Sequence, residues 1–453
     1  MSNLVAVIMA AGKGTRMKSK LPKVMHTLAG KTLVEHVLDM VGKVGVNRPL
    51  VIVGHGRESV EACINNRAEI VIQTEQLGTG HAVLQAMPYV EDDQTVLVLS
   101  GDQPLLRSET LNALVELHQA QGASATVLTA FIEQPFGYGR IIKKGVDLVR
   151  IVEEKDASPE EREIKEINTG TYCFKGSALK AALSKITTQN AQGEYYLTEV
   201  FDIFLKNQEK ILTYSTTSSY EALGINSRGQ LAEAEAIVRK SILDYWMAEG
   251  VTIVDPSSTF IGIDVELAQD VTILPFTRLL GKTVIEEDAV IGPQTTIDDC
   301  IVRCGAAVTY TVARDSEIGE GCNIGPFSYL RPGTKLGPGV KIGDFVEIKN
   351  SWIEAGAKVP HLSYIGDAHV GKSANIGAGT ITCNYDGVNK HPTKIGDHAF
   401  IGSNTNLVAP VEVGEYAVTG AGSTVTKNVP AKALVVERSQ QVIKEHWHRE
   451  KIK

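Results

Sequence analysis

From about Val251 onward, apolar residues recur at every sixth position. Ile318, Ile324, Leu330, Leu336, Ile342 and Ile348 form one unbroken series. Ile395, Ile401, Leu407, Val413, Thr419 and Val425 form another. Helices repeat every 3.6 residues and so do not give this period; strands repeat every 2, which also covers six, but would not place Gly at a fixed phase. A hexapeptide repeat marks a β-solenoid, with each apolar residue pointing into the coil. Glycine often follows the apolar residue, at Gly319, Gly325, Gly337, Gly343, Gly396, Gly402 and Gly414. There it is expected to supply the tight turn at a corner. Composition agrees: the 453 residues include 42 Gly, yet only 6% are aromatic. Cys383–Thr393 falls out of phase and is expected to project from one face as a loop, a common place for binding residues.

Before about Asn226 the pattern is different. Leu4–Met9, Pro49–Val53 and Val96–Leu99 are continuous apolar runs, as buried parallel strands are. Amphipathic stretches at Leu33–Val44 and Glu109–Gln119 lie between them, giving the α/β class. Leu231, Ala234, Val238, Ile242 and Tyr245 fall on one face of a helix. The expected organisation is residues 1–228 as one domain, 229–249 as a helical linker and 250–453 as the solenoid with a basic, extended tail from Arg438. In that tail His446 and His448 are expected to be solvated.

Charge narrows the class. With 45 Lys+Arg against 53 Asp+Glu the net charge is −8, which argues against a general nucleic-acid binder. Met1–Val7 carries no basic region of the kind that opens a signal peptide, and no run reaches the ~20 apolar residues of a membrane span. Six scattered Cys suit reduced thiols in a cytoplasm. Cys300 and Cys304 lack the further Cys or His that a zinc site needs.

Met9-Ala10-Ala11-Gly12-Lys13-Gly14-Thr15-Arg16 follows the first strand directly. Small residues let backbone N–H groups approach a phosphate, and Lys13 and Arg16 supply charge. It is neither a dinucleotide fingerprint nor a Walker A loop, and an ordinary strand–helix turn reads the same way in isolation. Leu21-Pro22-Lys23 adds a cation. Gln73, in Gln73-x-x-Gln76-Leu77-Gly78-Thr79-Gly80-His81, offers the paired donor and acceptor that a base edge needs. Ser100-Gly101-Asp102 ends the strand Val96–Leu99, where open α/β sheets bind ligands, and Asp102 there is a natural Mg²⁺ ligand or a helix cap.

In the solenoid, His361 can take a proton from an amine near neutral pH. A lone histidine on a coil is also a common surface residue. Its neighbours point further: Arg331 and Lys349 suit a sugar phosphate, Tyr364 and Asn375 suit sugar hydroxyls, and Asn384-Tyr385 sit in the projecting loop.

Together these motifs resemble the bacterial bifunctional N-acetylglucosamine-1-phosphate uridyltransferase/glucosamine-1-phosphate N-acetyltransferase family, over nearly the whole chain. Gly137-Tyr138-Gly139-Arg140, Glu153, Glu166-Ile167-Asn168-Thr169-Gly170 and Gly224-Ile225-Asn226 carry the first half of the likeness. Leu330-Arg331-Pro332-Gly333, Phe345–Lys349, Asn375–Thr380 and Thr382–Gly387 carry the second. The resemblance implies a Rossmann-like nucleotidyltransferase domain followed by a left-handed parallel β-helix. It implies that Met9, Ala10, Ala11, Gly12, Arg16, Lys23, Gln73, Gly78, Thr79, Ser100, Gly101 and Asp102 contact UTP. Gly139, Glu153, Asn168 and Asn226 complete the UDP-N-acetylglucosamine site, with Asp102 and Asn226 binding Mg²⁺. His361 is implied as general base, with Glu347 a candidate to orient it. Arg331, Lys349, Tyr364 and Asn375 would hold glucosamine-1-phosphate. Ala378, Asn384, Tyr385, Ser403, Ala421 and Arg438 would contact acetyl-CoA. The implied product of N-acetylglucosamine-1-phosphate and UTP feeds peptidoglycan and lipopolysaccharide, and the implied assembly is a cytoplasmic homotrimer. Three local departures stand out: Ser100 where a Tyr can occur, Pro360 before His361, and Glu437 beside Arg438. Two other readings remain: the solenoid as a structural module only, or the whole chain as a non-catalytic sugar-nucleotide binder.

Overall fold

The computed structural model describes residues 3–447, so His448 of the tail lies outside the described residues. The chain divides into two compact units, Met1–Val238 and Arg239–Lys453.

The first unit is built on one nine-stranded sheet. Its strands are β1 (Leu4–Met9), β2 (Leu50–Val53), β3 (Glu69–Ile72), β4 (Thr95–Ser100), β5 (Ala125–Phe131), β6 (Gly139–Lys144), β7 (Asp147–Val152), β8 (Glu166–Lys175) and β9 (Ile211–Ser215). The main order is β9-β5-β8-β4-β1-β2-β3, with β6 on β8 and β7 on β6. β1 pairs in parallel with β2 and β4 on either side, Val7 opposite both Leu50 and Val98. Both faces of these strands are covered. Val7, Val96 and Val98 enter one core, while Ala6, Ile8, Leu97 and Leu99 enter the other. That two-sided burial is why the strands read as continuous apolar runs. The helix α1 (Leu33–Lys43) packs Val34, Val37, Leu38 and Val41 on one face and opens on a capping box between Thr32 and Glu35. On the other face α2 (Thr79–Ala86) packs Ala82, Val83 and Ala86. The three runs read as parallel strands pair in parallel, whereas β8, not singled out as a strand from the sequence, runs antiparallel between β4 and β5. Its reversed direction brings its first residues to the edge where β1 and β4 end.

The helix α3 (Arg228–Ala248) follows. Its first half buries Ala234 with Leu231 and Val238 beside it. Its second half buries Leu243, with Ile242 and Trp246 packed against the solenoid core. Tyr245 is 56% exposed, so the face expected to continue through it shifts to Leu243.

The second unit is a parallel β-helix of three sheets with 11, 10 and 9 short strands. Strands pair with the third strand after them, except that Val418–Thr419 pairs with Leu434–Val435, the second after it, so one turn of the coil takes three segments. Asn323 faces Lys341, which faces Lys358. All residues of the two six-residue series are buried, lining a single core. Threonine hydroxyls stitch the corners: Thr277, Thr283, Thr334 and Thr405 each donate to the carbonyl three residues back, at 2.6–2.7 Å.

The repeat glycines do not do what was expected of them. Of the seven, only Gly325 has a positive φ. The left-handed corner residues include Phe327, Phe345, Leu362 and Asn404. What the glycines provide is clearance for the next coil. A Cβ on Gly343 would lie 1.9 Å from the Pro360 carbonyl oxygen.

The out-of-phase segment is ordered. Cys383 and Thr393 belong to strands, so the projecting part is narrower than expected, residues 384–392. Tyr385 bridges to Lys390, and Asp386 Oδ1 accepts from the backbone of Val388 at 2.8 Å and Asn389 at 2.6 Å. From Arg438 to Trp447 the chain forms neither helix nor strand, and His446 is exposed.

Candidate active sites

At the C-terminal ends of β1 and β4 lies a cleft of about 420 Å³. Met9, Ala10, Ala11, Gly12, Lys23, Gln73, Gly78, Thr79, Ser100 and Asp102, all singled out from the sequence, line it. So do Lys13, Val24, Gln76, Ala82 and Glu194. Backbone bonds hold the loops in place: Ala10 donates to Ile52, Gly101 to Met9 and Gln73 to Val53. Gly101 sits behind the lining, where a Cβ would meet Met9 O and Val24 at 3.2 Å. Gly78 is required twice over. Its φ is +117°, and a Cβ would lie 2.6 Å from Tyr195 O. Gln73 Nε2 donates to Gly78 O at 3.2 Å and lies 3.1 Å from His81 Nδ1.

The charge centre of this cleft is a triad. Lys23 Nζ donates to Asp102 and, at 2.9 Å, to Asn226 Oδ1. Ser100, standing where the family can carry Tyr, donates its hydroxyl to Asp102. Burial alone would raise the Asp102 carboxyl, but Lys23 and Ser100 outweigh it and hold the group below its ordinary range. Asp102 is therefore ionised, and two oxygens from distant parts of the chain converge on one cation. Arg16 is exposed on the short turn Thr15–Met17, which is anchored by the buried Met17, and is not among the lining residues.

Gly139, Glu153 and Asn168 form a second group outside the cleft lining. Asn168 is opposite Gly139 across β8 and β6, and a Cβ on Gly139 would stand 3.4 Å from Glu153 Oε2. Asn168 donates to Tyr172 at 2.7 Å, and Thr198 donates to Glu153 at 2.9 Å. Burial pushes the Glu153 carboxyl up. Tyr138, next to Gly139 in the chain, has its hydroxyl also raised by burial and feels the Asp102 charge.

In the solenoid, His361 ends the strand Lys358–His361, which runs unbroken through Pro360. Its Nδ1 lies 2.6 Å from Asp344 Oδ1. Glu347, the expected orienting group, is instead paired with Arg331 at 2.7 Å. It starts the next sheet's strand, whereas Asp344 directly faces His361. The His361 bond holds the Asp344 carboxyl below its ordinary range.

Beside this lies a cationic cluster. Lys349 approaches Asp367 at 3.9 Å, and Asp367 also accepts from Asn350 at 2.7 Å and from Asn384. Asn384 reaches the Tyr364 hydroxyl at 3.5 Å. The nearby Lys349 pushes the Lys390 ammonium down, so two cations crowd one carboxylate. Lys390 escaped the sequence reading because only the folded loop brings it here. Tyr385 is 60% exposed on that loop. Asn375 starts the strand above Lys358.

The remaining residues stack coil by coil at the His361 corner. Gly379 donates to His361 O at 3.4 Å, Asn404 to Ala378 O at 2.7 Å, and Gly422 to Ser403 O at 2.8 Å. Arg438 donates its guanidinium to Ala421 O at 3.2 Å. Glu437 turns away to accept from Thr424 N at 3.2 Å. Below His361 the same corner exposes Phe276, Tyr310, Phe327, Phe345 and Leu362. Tyr310, Phe327 and Phe345 contact in series, with ring centroids 5.4 Å apart.

The MobA-like NTP transferase domain profile matches residues 6–156, and the bacterial transferase hexapeptide profile (six repeats) matches residues 315–350 and 392–427. The bifunctional protein GlmU of Desulfitobacterium hafniense (strain DSM 10664 / DCB-2) is 61% identical over 453 residues, covering 100% of both chains. That of Heliobacterium modesticaldum is 54% identical over 449 residues, covering 99% of this chain and 98% of its own. That of Geobacillus sp. (strain WCH70) is 51% identical, covering 98% and 97%. A UDP-glucose pyrophosphorylase solved with UDP-glucose is 18% identical with a TM-score of 0.45, covering 53% of this chain and 99% of its own.

Proposed function

The chain belongs to the bifunctional GlmU family, and from that premise we propose how its residues divide two reactions. The C-terminal unit acetylates glucosamine-1-phosphate from acetyl-CoA. The N-terminal unit transfers uridylyl from UTP to N-acetylglucosamine-1-phosphate, releasing pyrophosphate.

For uridylyl transfer, the observation that carries the assignment is the convergence of Asp102 and Asn226 on the Lys23 ammonium. One ionised carboxylate and one amide oxygen suit Mg²⁺, which takes its other ligands from phosphates and water. Asp102 and Asn226 would hold it, and when bound it supplies charge neutralisation at the phosphates. Lys23 then turns to a phosphate oxygen, and Lys13 and Arg16 add charge at the rim. Met9 to Gly12 present backbone to the nucleotide. Gln73, its amide nitrogen engaged by Gly78, offers its oxygen to the uracil N3–H, with Thr79 alongside. Ser100 and Gly101 fix Asp102 from behind. The group of Gly139, Glu153 and Asn168 receives the N-acetylglucosamine. The sugar phosphate oxygen attacks the α-phosphate in line, so positioning and charge stabilisation do the catalysis and no side-chain nucleophile is needed.

For acetyl transfer, Arg331, Lys349 and Lys390 receive the sugar phosphate, while Tyr364 and Asn375 meet the sugar. His361 takes the amine proton as nitrogen attacks the thioester carbonyl. Acetyl-CoA lies along the stacked corner formed by Ala378, Ser403, Ala421 and Arg438, with Asn384 and Tyr385 from the projecting loop. The exposed aromatic ridge below His361 is the surface offered to like chains in a homotrimer. Among the described residues no helix is long and apolar enough to cross a membrane, and all six cysteines are free thiols, which supports a cytoplasmic setting.

Two substitutions test the assignment. Asp102→Ala should lower pyrophosphate release about 100-fold or more, by analogy with loss of one transition-state charge stabiliser. His361→Ala should abolish thiol release from acetyl-CoA that depends on glucosamine-1-phosphate. An unchanged rate in either variant overturns that half of the assignment.

A further inference from the structure

We propose that Asp344 is a positioning residue of the acetyl-transfer site, holding His361 in the tautomer that can accept the amine proton. This rests on the reading of His361 as the base. Asp344 and His361 are opposed residues of adjacent parallel strands. Their contact is therefore set by the backbone register. Leu362 N also donates to Asp344 O at 3.0 Å. The ring of His361 is 56% exposed, and Asp344 is its sole side-chain partner among the described residues.

The chemistry follows from the acceptor. An ionised carboxylate can only accept, so the nitrogen bonded to it must carry the hydrogen. With Nδ1–H on Asp344, the lone pair is on Nε2. As the amine attacks, the N–C bond forms, Nε2 takes the amine proton and the C–S bond breaks. The thiolate of coenzyme A leaves and recovers that proton from the imidazolium. Between these events the carboxylate of Asp344 faces a full positive charge 2.6 Å away. Without it, the ring on this open corner exchanges tautomers and turns, and a fraction of collisions meet an N–H instead of a lone pair.

Other charges do not substitute. The strand above contributes Asn375 and Ile376, which are uncharged. Lys341 and Lys358 face each other three residues back along the same two strands. Glu347 is held by Arg331 on the next sheet.

Full-length Asp344→Asn, Asp344→Ala and His361→Ala test this, with pyrophosphate release as a control on the other reaction. Asp344→Asn should lower kcat for acetyl transfer about 10-fold or more, since losing a carboxylate that orients a histidine costs about 10–100-fold at metal sites and more in a catalytic triad. KM for both substrates should stay within about two-fold, because the group touches neither. Pyrophosphate release should not change. Wild-type kcat in both Asp344 variants overturns the proposal, as does a raised KM at constant kcat. If His361→Ala is dead while the Asp344 variants are unimpaired, the base stands and the proposal alone falls. If His361→Ala is fully active, the base assignment itself fails.

Discussion

Single side chains in this protein are kept in register by what surrounds them, and two show it in opposite ways. Asp102 is a buried carboxylate made affordable by the Lys23 ammonium, since an unpaired buried charge costs several kcal/mol. His118 is buried without a charge partner. It lies 3.0 Å from the Thr126 hydroxyl, and burial pulls it from 6.5 down to about 4. In the unfolded chain it takes a proton first as pH falls. Its contribution is therefore complete above 6.5 and is lost progressively as pH drops toward about 4. At 1.36 kcal/mol per unit the loss is on the order of 3 kcal/mol. Thermal melts of the N-terminal unit should weaken between pH 6.5 and about 4, and His118→Gln should flatten that dependence. An equal slope in the variant would show that His118 is not the group responsible.

At the scale of elements, the six-residue period was legible because it is dictated by geometry: every solenoid segment buries a side chain at the same phase. The reason for the glycines was not legible. A corner needs conformational freedom, and the sequence pattern cannot tell that need from clearance for a neighbouring coil. The structure separates them. Gly339 has φ +68° and open space around a Cβ, while Gly343 meets Pro360 O at 1.9 Å. Gly339→Ala should cost about 1–2 kcal/mol from its left-handed backbone. Gly343→Ala must push two coils apart and should cost about 3 kcal/mol or more. Urea unfolding followed on the solenoid signal compares them, and equal losses would contradict the clearance argument. The same paragraph of sequence hid the Asp344–His361 contact. Coils differ in length where segments shorten or a loop enters, so a fixed period cannot say which residue stands beneath which. β8 was invisible for a different reason: Glu166–Lys175 mixes Glu, Asn, Thr and Gly with its apolar residues, so it does not read as a buried run, and sequence does not state the direction in which a strand pairs.

At the scale of the molecule, each unit carries its own core, and the residues assigned to each reaction fall within one unit. The two reactions should then be separable. Asp102→Ala should leave acetyl transfer intact, and His361→Ala should leave uridylyl transfer intact. Mixing the two variants should restore synthesis of UDP-N-acetylglucosamine from glucosamine-1-phosphate, because the acetylated intermediate diffuses between molecules. No product from the mixture, with each single activity intact, would instead require transfer within one chain.

The sequence by itself determined the two architectures, the existence of a helix near Leu231–Ile242 and the short motifs around Gly12, Gln73, Asp102 and His361. Those are local quantities, set by hydrophobic period and residue type over a few positions. Tertiary structure alone decided which of those residues meet. It placed Lys23 between Asp102 and Asn226, moved Glu347 to Arg331, put Asp344 beneath His361 and folded Lys390 onto Lys349. Each of these contacts joins segments whose distance is fixed by strand register, coil length or loop path, none of which a residue's own neighbours in the chain encode.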